Sequence, residues 1–395
     1  MVFVIFAFLY KTKDLVKLLY LKQSNMKLNN FFLITILFIS SCSVVEKTDD
    51  DIKTINLKES RDILPISTFI QNIEYLELDI SSVNIEIGAI QDLKVLGGDI
   101  IIKHSRAGIT NFVRFSKNGK FIVDITKNRK GEDLVFKPSD IVEYRNDYAV
   151  LGANGIHIIS KNGKYKGNLF DKKMPGNNFF VTNNKFYLIN SKVSTNFLTE
   201  IGNQSYQEEL DILNNSNLSR QGYSGISYLG KNKLHLVSFL NDTVFAFSGR
   251  RQTPQYYIDA EPNPTFSKVL QNNSDRDQLE TLKHIHNTQY VILKNYLENK
   301  NFIFMTYWIG SNASNLIINK QNWAVRYFAT GVNNIDGGIW NKPGYLSDNN
   351  ELYIPLSSYE ISGHKITDKR HKEFENLQAR ITASGNPVIM KCILE

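Results

Sequence analysis

The chain has 395 residues, 42% of them hydrophobic and 12% aromatic, which suits one large globular domain or two and, with its β-branched runs, leans towards strands. Residues 1–41 hold five lysines against one aspartate, so the formal charge of +7 leaves only +3 on the rest, too little to argue a nucleic-acid partner. With two cysteines, Cys42 and Cys392, there is no disulfide framework and no zinc-ligand spacing.

The N-terminal region reads as an address. From Met26, Lys27 supplies a short basic region and Phe31 to Ile39 an apolar stretch too short to span a bilayer. Ser40 and Ser41 then precede Cys42, a pattern that resembles a bacterial lipobox, with Cys42 the lipid-attachment residue. Residues 1–25 are read as an upstream extension, with Met26 the true start. Residues 1–41 are thus extension plus signal peptide. The acidic run after Cys42 opens a tether over 42–69, and a propeller domain occupies 70–395. An acyl anchor needs no transmembrane helix, since each buried CH₂ contributes about 0.8 kcal/mol of membrane affinity.

The first predicted strand is N72-I-E-Y-L-E-L-D79. Two hairpins follow, built on a phrase that recurs: S116-K-N-G-K and S160-K-N-G-K, their starts 44 residues apart, each flanked by strand-like runs. Asn-Gly is the strongest short hairpin signal, because both residues tolerate φ > 0. A second phrase, a polar turn leading into an apolar strand, occurs six times, beginning at Val95, Arg145, Thr182, Gly230, Glu298 and Ser347. Some copies are followed by another hairpin, as in N241-D-T-V-F-A-F and L316-I-I-N-K-Q-N-W-A-V. Two hairpins in series make a four-stranded meander, and repeats of about 40–50 residues of this kind are propeller blades. The expectation is an all-β, six-bladed β-propeller with four-stranded blades.

Two insertions interrupt the strands. The first, from Pro262 to His284, is polar and partly helical. The second, from Lys365, sets Phe374, Leu377 and Ile381 at helical spacing and predicts an amphipathic helix lying on the domain. The last run, N386-P-V-I-M-K-C-I-L-E395, is a strand. Closing the ring with strands from both ends removes exposed edges, so residues 72–79 and 386–394 are expected in one blade, with Cys392 a small buried hydrophobe.

Taken together, I73-E-Y-L-E-L-D, I87-G-A-I-Q-D-L, F112-V-R-F-S-K-N-G-K-F-I, L240-N-D-T-V-F-A-F, Y256-Y-I-D and N386-P-V-I-M resemble the six-bladed β-propeller lipoproteins of Bacteroidetes, over roughly residues 70 to 395. The resemblance implies a fold and an address more than a reaction. It also makes the acidic run after Cys42 legible as a surface-export signal. The Gly-Pro-Gly-Glu loop usual in that family is represented here by N128-R-K-G-E-D133: Gly131 and Glu132 match, and Arg129 and Lys130 replace the preceding Gly-Pro.

Signs of chemistry are few. H284-I-H286 is the one close histidine pair, and it ends a polar insertion. There is no nucleophile elbow, zincin motif or P-loop. Asp99, Glu132, Asp140 and Asp336 sit near blade loops, where a carboxylate pair would serve glycoside chemistry. Binding is the stronger expectation, since propeller loops present side chains on a rigid scaffold. Arg129, Glu132, Trp308 and Trp340 are the candidate ligand contacts, the tryptophans because indole stacks on sugars or peptides. The reading is an exported, lipid-anchored protein of the outer membrane or cell surface. It acts as a non-enzymatic binding or interaction scaffold with no cofactor and no metal. Its expected partners are the membrane through its lipid, a glycan or peptide ligand, or an envelope protein. The alternative is a propeller enzyme, a hydrolase or lyase acting on glycans.

Overall fold

The computed structural model describes residues 52–395 except 82, 84, 127–136, 171–175, 183, 191–197, 202–223, 229–233, 239–241, 249–250, 266–267, 270–289 and 367–371. Both repeated turns close as hairpins through their own backbone. Ser116 N–H donates to Lys120 O at 2.8 Å and Gly119 N–H to Ser116 O at 2.9 Å; Ser160, Lys164 and Gly163 repeat this at 2.8 Å and 2.8 Å. Only the glycines are left-handed, at φ 78° and 82°. The asparagines stay in ordinary backbone, so these are turns ending in a glycine bulge rather than two-residue turns with both central residues at positive φ.

Gly119 also meets a tertiary demand. A Cβ there would lie 2.1 Å from Glu77 O, because the turn packs on the strand Ile70–Glu77. Gly98 has a similar φ of 85° but open space around it. Gly119→Ala is therefore expected to cost about 2–5 kcal/mol, from a left-handed backbone penalty of ~1–2 plus overpacking of ~1–3. Gly98→Ala should show the backbone penalty alone. Urea midpoints for the two variants separate these contributions, and equal losses would mean that the Glu77 contact does not matter.

The hairpins assemble in series into an all-β propeller with few helices. The leading blade is Ala89–Leu96, Asp99–Arg106, Ile109–Phe115 and Phe121–Asp124, and the second is Asp140–Tyr144, Asp147–Gly152, Gly155–Ser160 and Tyr165–Phe170. A three-stranded sheet follows (Gly176–Thr182, Lys185–Asn190, Leu198–Ile201). Next come a five-stranded blade, Ser224–Tyr228, Leu234–Ser238, Thr243–Ser248 and Arg251–Asp259 joined by Lys53–Asn56, and a blade of Val291–Glu298, Phe302–Ile309, Asn312–Asn319 and Ala324–Phe328. The closing blade orders Tyr345–Leu346, Glu351–Leu356, Val388–Leu394 and Ile70–Glu77. Among the described residues there are thus five blades of four or more strands, not the expected six. The reason lies in what the recurring phrase encodes. It marks the first hairpin of a sheet, and the copy at Thr182 begins a sheet whose described strands stop at three.

The closing blade joins the two ends of the domain as expected. Val388–Leu394 pairs antiparallel with Ile70–Glu77, with Cys392 opposite Ile73. Cys392 is fully buried, and burial drives its thiol pKa well up, which makes it core and a poor nucleophile. The helix Lys372–Ser384 buries Phe374, Leu377 and Ile381, the three residues that predicted it. The insertion at Pro262 lies largely outside the described residues, as do His284 and His286.

Residues 53–69, expected as part of the tether, are instead a strap across three neighbouring blades. Lys53–Asn56 pairs in parallel with Tyr256–Asp259. Leu57 N–H then reaches Asp259 O at 2.6 Å, and Tyr307 OH donates to Lys58 O at 2.6 Å. Ala329 N–H donates to Asp62 O at 2.8 Å, and Ile63–Pro65 pairs in parallel with Thr330–Val332. The strap satisfies backbone groups that an outer strand would otherwise offer to another chain. The core lies between blades: Ile101 and Phe112 of the leading blade, for example, pack with Ile141, Tyr148 and Val150 of the second.

Candidate functional site in the axial channel

The first strands of the five blades and of the three-stranded sheet stand side by side around the axis. Two cavities occupy the channel between them, of about 580 Å³ and 530 Å³, and Asp92, Asn178 and Gly344 line both. Either volume suits a small-molecule ligand. The larger cavity is the more polar of the two, with Gln91, Asp92, Lys103, Asn178, Asn295 and Lys342 among its lining. The smaller is walled mainly by Leu93, Val95, Ile141, Val142, Val181 and Leu297, with Lys94 and Glu298 as its charges of interest.

Strand alternation puts the charges here. Asp92 and Lys94 are two residues apart on the innermost strand of the leading blade and share a face. Lys94 Nζ pairs with the buried Asp140 carboxylate and donates to Ile141 O at 3.1 Å. The second Asp140 oxygen accepts from Phe179 N–H at 3.0 Å, so this carboxylate ties three neighbouring sheets together. Lys103, directly across from Asp92 in the strand register, reaches away to Ser139 O at 2.8 Å. Asp92 keeps part of its surface open to the channel, but the walls hold bulk water away. That desolvation pushes its carboxyl pKa up, against the pull of Lys94 and Lys103. Desolvation likewise draws the Lys103 ammonium down, against the carboxylates of Asp92 and Asp140.

On the other cavity wall, Glu298 anchors a buried network. Its side chain is 0% exposed and accepts from His235 Nδ1 at 2.5 Å, Lys320 Nζ at 2.6 Å, Tyr256 OH at 3.1 Å and Tyr296 OH. Burial alone would raise the Glu298 carboxyl pKa; the hydrogen bond and charge of His235, with those of Lys320, outweigh it and hold it below the usual range. His235 and Tyr256 come from the five-stranded blade and Glu298 from the next, so the network joins two blades.

The residues singled out in the sequence are scattered. Cys42, Arg129, Lys130 and Glu132 lie outside the described residues. Trp308 is 41% exposed, with Lys294 Nζ 4.9 Å from its ring centroid; Lys342 of the larger cavity donates to Lys294 O at 3.2 Å. Trp340 is packed among rings, edge-on to Phe69 at 5.7 Å and within 6.5 Å of Phe304 and Phe328. The three candidate acids among the described residues do not pair with one another. Asp99 holds Arg114, Asp140 holds Lys94, and Asp336 accepts from Asn333 at 2.6 Å and Gly338 N–H at 3.0 Å. Among the described residues, no three His, Cys, Asp or Glu side chains group as a metal site would require. The sequence reading missed Asp92, Lys94, Lys103 and Lys342. The signal it had was Q91-D-L-K94, charges at alternate positions of a largely apolar strand.

Residues 52–392 match the family described as "Domain of unknown function (DUF4934)", and the chain belongs to it. No curated protein matches the chain. Among solved structures, a Bacteroides fragilis protein named as exported is 14% identical over 87% of this chain and 100% of its own, with a TM-score of 0.61. It shares the fold. A DUF4221-family member from Bacteroides vulgatus is 9% identical, covering 82% of this chain and 97% of its own, at a TM-score of 0.44. The extracellular domain of a one-component system from B. thetaiotaomicron is 10% identical, covering 72% and 32%, at a TM-score of 0.37. Those two scores are too low to carry an argument about this chain.

Proposed function

Taking that family membership as the premise, we propose that the protein is an exported, lipid-anchored propeller that binds a small polar ligand in the larger cavity of its axial channel and carries out no covalent chemistry on it. One observation carries this reading. Charged and amide side chains from separate sheets converge on a cavity of about 580 Å³, the pattern of a few placed polar groups that marks a ligand site. The alternative of a glycan hydrolase or lyase has less support, since Asp99, Asp140 and Asp336 are each taken up by their own partners. Trp308, linked to the cavity through Lys294 and Lys342, is a rim contact for a ligand that extends outward. Export and anchoring rest on Cys42 after Ser40 and Ser41, in keeping with the name of the B. fragilis neighbour. In this reading an outer-membrane or surface position gives the channel access to solutes or to an envelope protein partner.

Two experiments test it. Cys42→Ala should move the protein from membrane to soluble fractions and abolish palmitate labelling, and an unchanged distribution would overturn the anchor. For the channel, a panel of small polar solutes is screened by thermal shift against wild type and Asn178→Trp, which places a large ring where both cavities meet. At least one solute class should raise Tm in wild type and not in the variant. Identical responses across the panel would overturn binding in the channel.

A further inference from the structure

Resting on that binding reading, we propose that the larger cavity takes a zwitterion, an α-amino acid or a short peptide, with its ammonium on Asp92 and its carboxylate on Lys103 and Lys342. The ion pair expected between Asp92 and Lys103 does not form. Asp92 and Lys103 are direct cross-strand partners, a placement that sets Cβ atoms about 5 Å apart and favours opposite charges meeting. Lys103 instead donates to Ser139 O on the approach to the second blade, and Lys94, on the same face as Asp92, is committed to Asp140 and Ile141 O. Among the described residues no ion pair of Asp92 falls within 4.0 Å. Its carboxylate accepts the Leu93 N–H at 2.9 Å and keeps further lone-pair sites for an outside donor.

The cavity therefore presents an unpaired carboxylate and lysine ammoniums in the same space. A ligand of one sign would satisfy half of this set and oppose the other half. A dianion would meet Asp92, and a dication would meet Lys103 and Lys342. A neutral molecule with separated charges complements both, and complementarity of this kind gives selectivity as well as affinity. The remaining carboxylate of the lining, Glu360, is engaged in capping: it accepts from Ser357 N–H at 2.7 Å and from Asn341 Nδ2 at 2.8 Å. Gln91 and Asn178 supply amides able to pair with a peptide group between the two charged ends. No aromatic ring is among the described residues lining this cavity. A sugar would lack the stacking platform that carbohydrate sites commonly provide, while charged peptide ends do not need one.

The test is calorimetric titration of the purified protein with alanyl-alanine, its N-acetylated form, its C-terminal amide and glucose. The free dipeptide should bind, and each blocked form should bind about tenfold or more weakly, the size expected for losing a hydrogen bond to a charged group. In Asp92→Asn, isosteric and checked for folding by its Tm, the preference for a free amine should vanish. In Lys103→Met the preference for a free carboxylate should shrink, since Lys342 remains, and in Lys103→Met with Lys342→Met it should vanish. Equal binding of free and blocked dipeptides, or no dipeptide binding, overturns the zwitterion. If glucose or another neutral solute then binds and Asn178→Trp abolishes it, the channel remains a binding site and only the ligand class falls. If no solute is sensitive to Asn178→Trp, both readings fall.

Discussion

Replacing Glu298 with alanine is expected to lower the unfolding free energy by about 3–5 kcal/mol, the cost of removing one partner from a buried ionic network. The carboxylate is fully buried, and four side chains direct donors at it. Without it, His235 Nδ1 and the Tyr256 and Tyr296 hydroxyls lose their carboxylate acceptor inside the protein, and Lys320 is left with the Asn299 carbonyl, 2.9 Å away, and no counter-charge. That is a large share of the 5–15 kcal/mol typical of a whole domain. Glu298→Gln keeps the shape but offers a neutral amide to Lys320, so its loss should be smaller. Urea unfolding measures both. An alanine variant within about 1 kcal/mol of wild type would show that solvent or rearranged neighbours replace the carboxylate, and that the network does not join the blades.

The same network sets an acid limit. The folded-state pKa of Glu298 lies below its ordinary value of 4.5. Its contribution is therefore complete above about that pH and is lost as pH falls through the lower folded value, because the unfolded chain takes up the proton first. Glu351, held down by Lys391 and Tyr353 against its own desolvation, acts in the same direction. Stability should decline on acidification below about pH 4.5, with a shallower slope in Glu298→Gln.

Trp340→Ala should cost about 3 kcal/mol, the low end for removal of a large aromatic from a packed interior, because the indole is half-buried. The indole packs between the strap and the blade it crosses: Phe69 meets it edge-on, Phe304 and Phe328 lie behind, and a Cβ on Gly331 would come within 2.8 Å of its ring. Trp308→Ala is the contrast. That ring is 41% exposed and its partner is Lys294, a cation–π contact worth about 0.5–1 kcal/mol at such a site, so stability should fall by no more than about 1 kcal/mol. Any larger effect of Trp308 belongs in ligand affinity per folded molecule. Denaturant midpoints at constant m compare the two tryptophans directly. Equal losses would mean that Trp308 is as structural as Trp340.

Sequence alone determined the features whose hydrogen bonds are local or whose hydrophobic period is strong. The S-K-N-G-K turns bond within five residues, the helix at 372–384 shows its face in Phe374, Leu377 and Ile381, and the terminal strands stand out as short runs rich in apolar and β-branched residues. Tertiary structure decided what depends on position in the ring. The polar phrase at Thr182 looks like its relatives, but among the described residues it opens a sheet of three strands, since the phrase specifies one hairpin and says nothing of a second. Residues 53–69 have too little apolar period to read as structure. They are ordered by backbone bonds to strands some 200 to 270 residues away, a pairing that no local pattern encodes. Asp92 and Lys94 alternate as any solvent-facing pair on a strand would. Only the placement of their strand at the axis turns that face inward, where confinement strips water from the charges and turns two ordinary polar residues into the wall of a ligand cavity.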